Sequence, residues 1–350
     1  GKKCAASVGA LAGIPTKSEN ISKEILHEAY EILEASFDPE YGGFSRAPKF
    51  PTPHNLFFLL RYWKATKEPK ALEMVEKTLE GIYRGGIFDH IGFGFSRYST
   101  DDKWLVPHFE KMLYDNALLA IAYSETYQAT QKQLYAQVAR KIFAYVLGHM
   151  KSPEGAFYSA EDADSEGEEG KFYLFSPNEI IQILGQEDGQ GFCRHFSITP
   201  GGNFGGKSIP NLINAPNLNS QDETHMDALR QKVFEYREQR VHPFKDDKIL
   251  TGWNALMIAA MAIGGRYLED GVYIHTAETA MDFIFTKLMR EDGRLLARYR
   301  DNEAAHPAYV DDYAYTVWAL IELYETTYNT IYLYRALDLN REMLRLFWDQ

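Results

Sequence analysis

The stretch from Gly85 to Asn116 carries the densest set of residues able to do chemistry: Asp89, His90, Arg97, Trp104, His108, Glu110, Lys111, Tyr114, Asp115 and Asn116. Two histidines with a carboxylate nearby can give and take protons near neutral pH. His90 and His108 flank a loop long enough to bring both to one pocket. From Phe109 onward the spacing is helical, which predicts Lys111, Tyr114 and Asp115 on one face, with Glu110 and Tyr114 also one turn apart. Hydrogen-bonded loop packing would use the same residues. A second set runs Glu161-Asp162-Ala163-Asp164-Ser165-Glu166 and ends at Glu169. Asp162, Asp164, Glu166 and Gly167 match the start of a calcium loop, but the twelfth position is Tyr173 where a glutamate is needed. A carboxylate pair for glycoside cleavage is the other option, Glu161 or Asp162 acting with Asp311 or Asp312 from another helix start. Glu166 to Glu169 reads as a solvated acidic loop. The third set is Asp246-Asp247-Lys248, then Thr251 as an expected helix cap, then Trp253-Asn254. Trp253 could floor a sugar site and Lys248 could meet an anionic or hydroxyl group. Capping and core packing explain this set equally well.

The elements that must position these residues are helices. Three nearly unbroken apolar helices open on the polar knots His108-Phe109-Glu110-Lys111, Trp253-Asn254 and Asp311-Asp312-Tyr313. A helix apolar all round is buried on every side, so decorating only its start points to several helix N-termini around one rimmed pocket. Evenly apolar helices are predicted at 53–66, 109–127, 251–267 and 311–327, with a weaker one at 176–185. One-faced helices are predicted at 20–36, 69–82, 132–150, 222–240, 271–289 and 331–347, as in the stripe Leu72, Val75, Leu79, Ile82. This alternation fits an inner ring wrapped by an outer ring. Gly-aromatic turns such as Gly42-Gly43-Phe44 and Gly170-Lys171-Phe172 recur between them, as in a degenerate helical-hairpin repeat. The outer helices outnumber the inner ones, so the fold is expected to continue past residue 350.

Composition narrows the partners. The 350 residues carry a net charge of −12, which argues against a nucleic-acid backbone or an anionic membrane surface. Apolar runs are about half the roughly 20 residues a membrane span needs. Cys4 and Cys193 are far apart in sequence, so a disulfide framework or cysteine zinc site is not expected, and a reducing, cytoplasmic location fits. Phosphate-loop, Rossmann, nucleophile-elbow and His-Glu-x-x-His signatures are absent. Nothing in the sequence requires a cofactor or a metal. Aromatic residues make up 14% of the chain, suited either to stacking sugar rings or to filling space between helices.

The strings Ala47-Pro48-Lys49-Phe50-Pro51, Gly86-Ile87-Phe88-Asp89-His90, Pro107-His108-Phe109-Glu110-Lys111-Met112-Leu113-Tyr114-Asp115-Asn116, Ser159-Ala160-Glu161-Asp162-Ala163-Asp164-Ser165 and Asp247-Lys248-Ile249-Leu250-Thr251-Gly252-Trp253-Asn254 resemble the spermatogenesis-associated, thioredoxin-domain-containing family. The resemblance covers residues 36–350. It implies an all-α (α/α)6 toroid, similar to six-hairpin glycosidases and to N-acylglucosamine epimerases, over residues 20–350 and truncated near its last hairpin. It also implies that residues 1–19 are a connector from a thioredoxin-like domain. In such toroids the site lies where the inner helices begin. The resemblance carries no catalytic residues across, and fold analogy is a weak warrant for chemistry.

Two functions compete. The first is a carbohydrate-active enzyme. Hydrolysis would draw a carboxylate pair from Glu110, Asp115, Glu161, Asp162 and Asp312, with Trp253 or Trp104 stacking the ring. Epimerisation or isomerisation would use His90 and His108 as the proton-transfer pair, with Arg97 polarising the carbonyl. Lys111, Tyr114, Asn116, Asp164, Lys248 and Asn254 complete the candidate substrate contacts. The second is a non-catalytic binding or scaffold module serving a thioredoxin-like partner.

Overall fold

The computed structural model describes residues 23–216 and 220–348; the expected connector at 1–19 and Cys4 lie outside them. The described residues form helices α1 (Glu24–Ser36), α2 (Pro53–Thr66), α3 (Pro69–Arg84), α4 (Leu113–Thr130), α5 (Gln133–Tyr145, running into a π-helical turn Val146–Met150), α6 (Pro177–Leu184), α7 (Gln186–His195), α8 (Ser220–Arg237), α9 (Thr251–Tyr267), α10 (Gly271–Lys287), α11 (Val310–Thr327) and α12 (Thr330–Phe347).

Their burial follows the sequence pattern. Every residue of α9 from Asn254 to Gly265 is buried, and its many alanines and glycines let neighbours approach closely. A methyl group at Gly264 would meet the Phe143 ring of α5 at 2.4 Å. By contrast α3 buries only Ala71, Met74, Val75, Thr78, Leu79 and Ile82, the single stripe of a helix with one face in water. Helices α2, α4, α9 and α11 pack side by side in that order, each backed by its own antiparallel partner, α3, α5, α10 and α12. This is the (α/α)6 toroid architecture. Three outer helices, α3, α10 and α12, carry ordinary caps: Glu68 accepts from Lys70 N–H, Asp270 from Val272 N–H and Asn329 from Ile331 N–H.

One part of the ring departs from expectation. Helix α4 packs directly on α9, so 176–185 is not an inner helix and 222–240 is not its outer mate. Helix α6 is only two turns long, buries Ile180 alone and ends at Gly185 with φ 86°. It folds with α7 and α8 into a satellite whose own core holds Ile91, Phe175, Phe192, Phe196, Leu229 and Val233. Cys193 is buried there as a free thiol, which burial pushes up to about 11.

Short strands, unexpected from the sequence, gather the inner-helix starts. Lys111–Met112 pairs with Ala160–Glu161, which pairs with Lys245–Asp246. Ile249–Leu250 pairs with Leu296–Arg300, which pairs with Glu303–Pro307. Helix α4 therefore starts at Leu113, not Phe109, and the predicted helical face of Lys111, Tyr114 and Asp115 does not exist. In extended chain successive side chains point to opposite faces. Glu110 and Lys111 accordingly part company.

Asn116 and Asn254 are the same device used twice. Each is fully buried. The Asn116 amide donates to the Phe95 and Met112 carbonyls while its oxygen accepts from Phe95 N–H. Asn254 does the same with Phe157 and the Leu250 carbonyl. Both are occupied with backbone and neither is a substrate contact. Replacing Asn254 by alanine would strand buried backbone groups at roughly 1–3 kcal/mol each, so a loss of about 2–3 kcal/mol is expected in chemical denaturation.

Candidate functional site

At the start of α4 the strand residues and the helix's first turn build a polar cluster. Arg97 pairs with Glu110 at 3.3 Å. His108 Nε2 is 3.6 Å from the same carboxylate, and His108 Nδ1 is 2.8 Å from Glu169. The Tyr114 hydroxyl lies between Arg97 and Asp115. Trp253, from the first turn of α9, meets the Tyr114 ring edge-on with centroids 4.8 Å apart. Tyr98 stacks on His108 at 5.1 Å and meets Phe50 at a tilt, with centroids 4.8 Å apart. Two inner-helix starts thus converge, as their polar openings suggest.

Asp115 stands out electrostatically. Burial pushes its carboxyl up to about 7, nearby Glu110 adds to the rise, and Arg97 and Tyr114 only partly oppose it. Its Oδ2 is buried without a hydrogen-bond partner. A carboxyl that holds its proton near neutrality beside a second carboxylate is the arrangement a general acid needs.

The structure does not bring the two histidines together. His90 is buried against Tyr83, Phe88 and Phe196, with Nε2 3.0 Å from the Gly85 carbonyl. Burial and nearby Lys141 push its imidazole down to about 3, so it stays neutral and is no partner for His108. Trp104 is fully buried, donates to the Tyr41 carbonyl and lies beneath Lys49. It is a packing residue and stacks no ligand. Asp312 accepts from Gly252 N–H at 2.8 Å and Tyr309 N–H at 2.9 Å, locking α11 to α9. That cap does the work expected of Thr251, whose hydroxyl instead donates to the Leu296 carbonyl. Asp162 is exposed with Oδ1 on Ala163 N–H, and Asp164 is exposed in a strand pair with Glu169. Lys248 pairs with Asp246 at 2.7 Å.

Lys111 and Glu161 belong to a different, buried assembly on the opposite face of the strands. Lys111 Nζ donates to Asp89 at 2.9 Å and to the Phe93 carbonyl at 2.8 Å. Arg237, at the end of α8, donates to both Asp89 oxygens at 2.9 Å. Burial alone would raise the Asp89 carboxyl, but Arg237 and Lys111 hold it well below the usual carboxylate range. Glu161 accepts from the Tyr145 hydroxyl at 2.7 Å and pairs with Lys245 at 3.2 Å. The free space beside this network is about 10 Å³, room for one water and not for a sugar.

Sequence reading missed Arg237 and took Glu169 for part of a solvated acidic loop. Arg237 sits in an unremarkable amphipathic helix far from Asp89 in sequence. Glu169 is one acid in a run of acids, and only the 164–169 hairpin carries it to His108.

No protein-family model matches the chain. Among solved structures, the fold is similar to a family 76 α-mannanase from Bacteroides thetaiotaomicron, with TM-score 0.56, 13% identity, and coverage of 95% of this chain and 73% of that one. A family 76 mannosidase from the same species matches with TM-score 0.53 at 12% identity, covering 92% and 71%. At these identities the likeness concerns the fold alone. Spermatogenesis-associated protein 20 from Homo sapiens is 35% identical over 92% of this chain, and an uncharacterised Caenorhabditis elegans protein is 32% identical over 94%. The chain spans about half the length of these relatives, 47% and 51%. Across nearly all its length, a third of this chain's residues are identical to those of the spermatogenesis-associated proteins, so the chain is similar to about half of each of them.

Proposed function

We propose that this toroid cleaves a glycosidic bond at the mouth formed by the starts of α4 and α9. The observation that carries the reading is Asp115: a desolvated carboxyl pushed up to about 7, with one oxygen unpartnered, next to Glu110. Asp115 is the general acid that gives its proton to the leaving oxygen. Glu110, held by Arg97, is the second carboxylate, facing the sugar carbon or the attacking water. Trp253 and Tyr114 offer aromatic surface to a sugar ring, and His108 with Glu169 forms the rim. The solved structures of similar fold are named as a mannanase and a mannosidase, which supports a sugar as the substrate class. Hydrolysis is preferred over epimerisation because the two carboxyls are neighbours while His90 and His108 are not.

The test is a thermal-shift panel of mono- and oligosaccharides followed by turnover of the hits. Trp253→Ala is expected to weaken binding of a hit sugar by about tenfold, the scale of one lost base- or sugar-stacking contact of ~1–3 kcal/mol, measured well below the variant's own melting temperature because the half-buried ring also packs on Tyr114 and the core. A Trp253→Ala protein that binds the hit sugar unchanged would remove the platform from the mouth. The second reading, a binding module working with a thioredoxin-like partner, is favoured by one fact: Arg97, Glu110, His108 and Glu169 already pair with one another. Sugar binding without turnover, or no sugar binding at all, would turn to it. No helix among the described residues is long and apolar enough to cross a membrane.

A further inference from the structure

A cleft of about 630 Å³ opens on the outside of the ring, between outer helices α3 and α5 and the satellite helices α7 and α8. It lies apart from the mouth, and no residue of the Asp115 cluster lines it. Its volume falls in the range of small-molecule sites, roughly 300–1,000 Å³.

One wall is electropositive. Lys141 Nζ donates to the Tyr83 hydroxyl at 2.9 Å and sits over the Tyr83 and Phe93 rings. Among the described residues no carboxylate forms an ion pair with it. Arg84, anchored on the Ala215 carbonyl, projects into the same cleft with His90 and His195. Both imidazoles are desolvated, and the charge of Lys141 further disfavours their protonation. The other wall is apolar, with Phe196, Leu212 and Met226. Three carboxylates also reach the cleft, but none neutralises Lys141. Glu80 accepts from the Tyr135 hydroxyl, Asp227 is paired with Arg230 at 2.8 Å, and Glu223 is exposed on α8.

A cation without a carboxylate partner beside two neutral imidazoles and an apolar wall is complementary to an anion carrying an apolar body. We infer that this cleft is a second ligand site, separate from the mouth, for a small amphipathic anion whose head group meets Lys141, Arg84 and His195. Its apolar part lies on Phe196, Leu212 and Met226. A charge-assisted bond to Lys141 gives affinity for the head, and the aliphatic contacts select against a bare inorganic ion.

Titration calorimetry of the whole chain with hexanoate, phenyl phosphate, inorganic phosphate and 1-hexanol tests this. Saturable binding of hexanoate or phenyl phosphate is expected, whichever head group wins, with inorganic phosphate and hexanol at least tenfold weaker. Lys141→Met, which keeps the aliphatic stem on Tyr83, should weaken the anion at least tenfold. Leu212→Trp should block it by filling the cleft. If the tryptophan variant does not fold, Lys141→Met alone decides. Asp115→Asn should leave the affinity unchanged, which separates this site from the mouth. Hexanol binding as tightly as hexanoate, inorganic phosphate binding as tightly as phenyl phosphate, no saturable binding of either amphipathic anion, or indifference to Lys141→Met would each overturn the inference.

Discussion

Asp115→Asn is expected to lower turnover of an unactivated glycoside by about 10²–10⁴-fold, the usual contribution of a positioned general acid, while making the protein more stable at neutral pH. The two effects have one cause. The folded carboxyl titrates near 7 and its ordinary value is 3.8. Between those values the folded state holds a proton that the unfolded state has released, so stability falls as pH rises from about 4 to about 7. At about 1.4 kcal/mol per pH unit, the burden at pH 8 is on the order of 2–4 kcal/mol. An uncharged asparagine removes it, so the variant's advantage in urea denaturation should be large at pH 8 and vanish near pH 4. Substrates with a good leaving group need little protonation, so an aryl glycoside with a nitrophenol leaving group should lose far less than an alkyl glycoside. Equal losses on both substrates would deny Asp115 the acid role. A variant less stable than the parent at pH 8 would mean the carboxylate is better satisfied than its environment indicates.

Asp89→Asn is expected to destabilise the fold by about 3–5 kcal/mol, the cost of breaking a buried ion pair from one side. Arg237 and Lys111 would be left as buried cations sharing a neutral amide. Asp89 has the opposite pH signature to Asp115. Its folded carboxyl is held below the ordinary range, so it stabilises the protein above about pH 4, and that stability is lost as pH falls further. The parent should therefore unfold in acid along a slope that Asp89→Asn lacks. Arg237→Met removes the opposite partner and unpins α8, so the satellite should lose amide-exchange protection before the ring does. Uniform loss of protection across both would show that the satellite is not a separate unit.

The ring was legible because burial on all sides leaves an unmistakable mark: Ala255 to Ile263 has no polar residue to offer water. Helix starts were legible to the extent that Arg97, His108, Glu110, Tyr114, Asp115 and Trp253 do meet. What failed was local direction. The residues from Phe109 to Met112 have helical spacing, yet pairing with Ala160–Glu161 holds Lys111–Met112 extended, a long-range contact that no window of sequence contains. Extension sends Lys111 and Glu161 to the buried side and leaves Glu110 on the mouth. Asn116, Asn254 and Asp312 look like site residues because a buried polar side chain that holds backbone has the same composition as one that holds substrate. Only the partner list tells them apart. The satellite was misread as a hairpin of the ring because 176–185 reads as evenly apolar and 222–240 as one-faced, patterns that say how much of a helix is covered and not by what.

The three-stranded sheet at the mouth joins segments around residues 111, 160 and 245, the first two separated by the α4–α5 hairpin and the last two by the whole satellite. Neighbouring helices can zip up through local contacts, but this sheet forms only after two long loops have closed, and loop closure costs chain entropy before any contact offsets it. Glu110 and Asp115 take their relative positions from that sheet. During refolding, helical circular dichroism should therefore recover ahead of the fluorescence of Trp253. A chain that is already largely helical can still lack its mouth, so a slow-folding or partly aggregated preparation would look native by secondary structure and yet have no site.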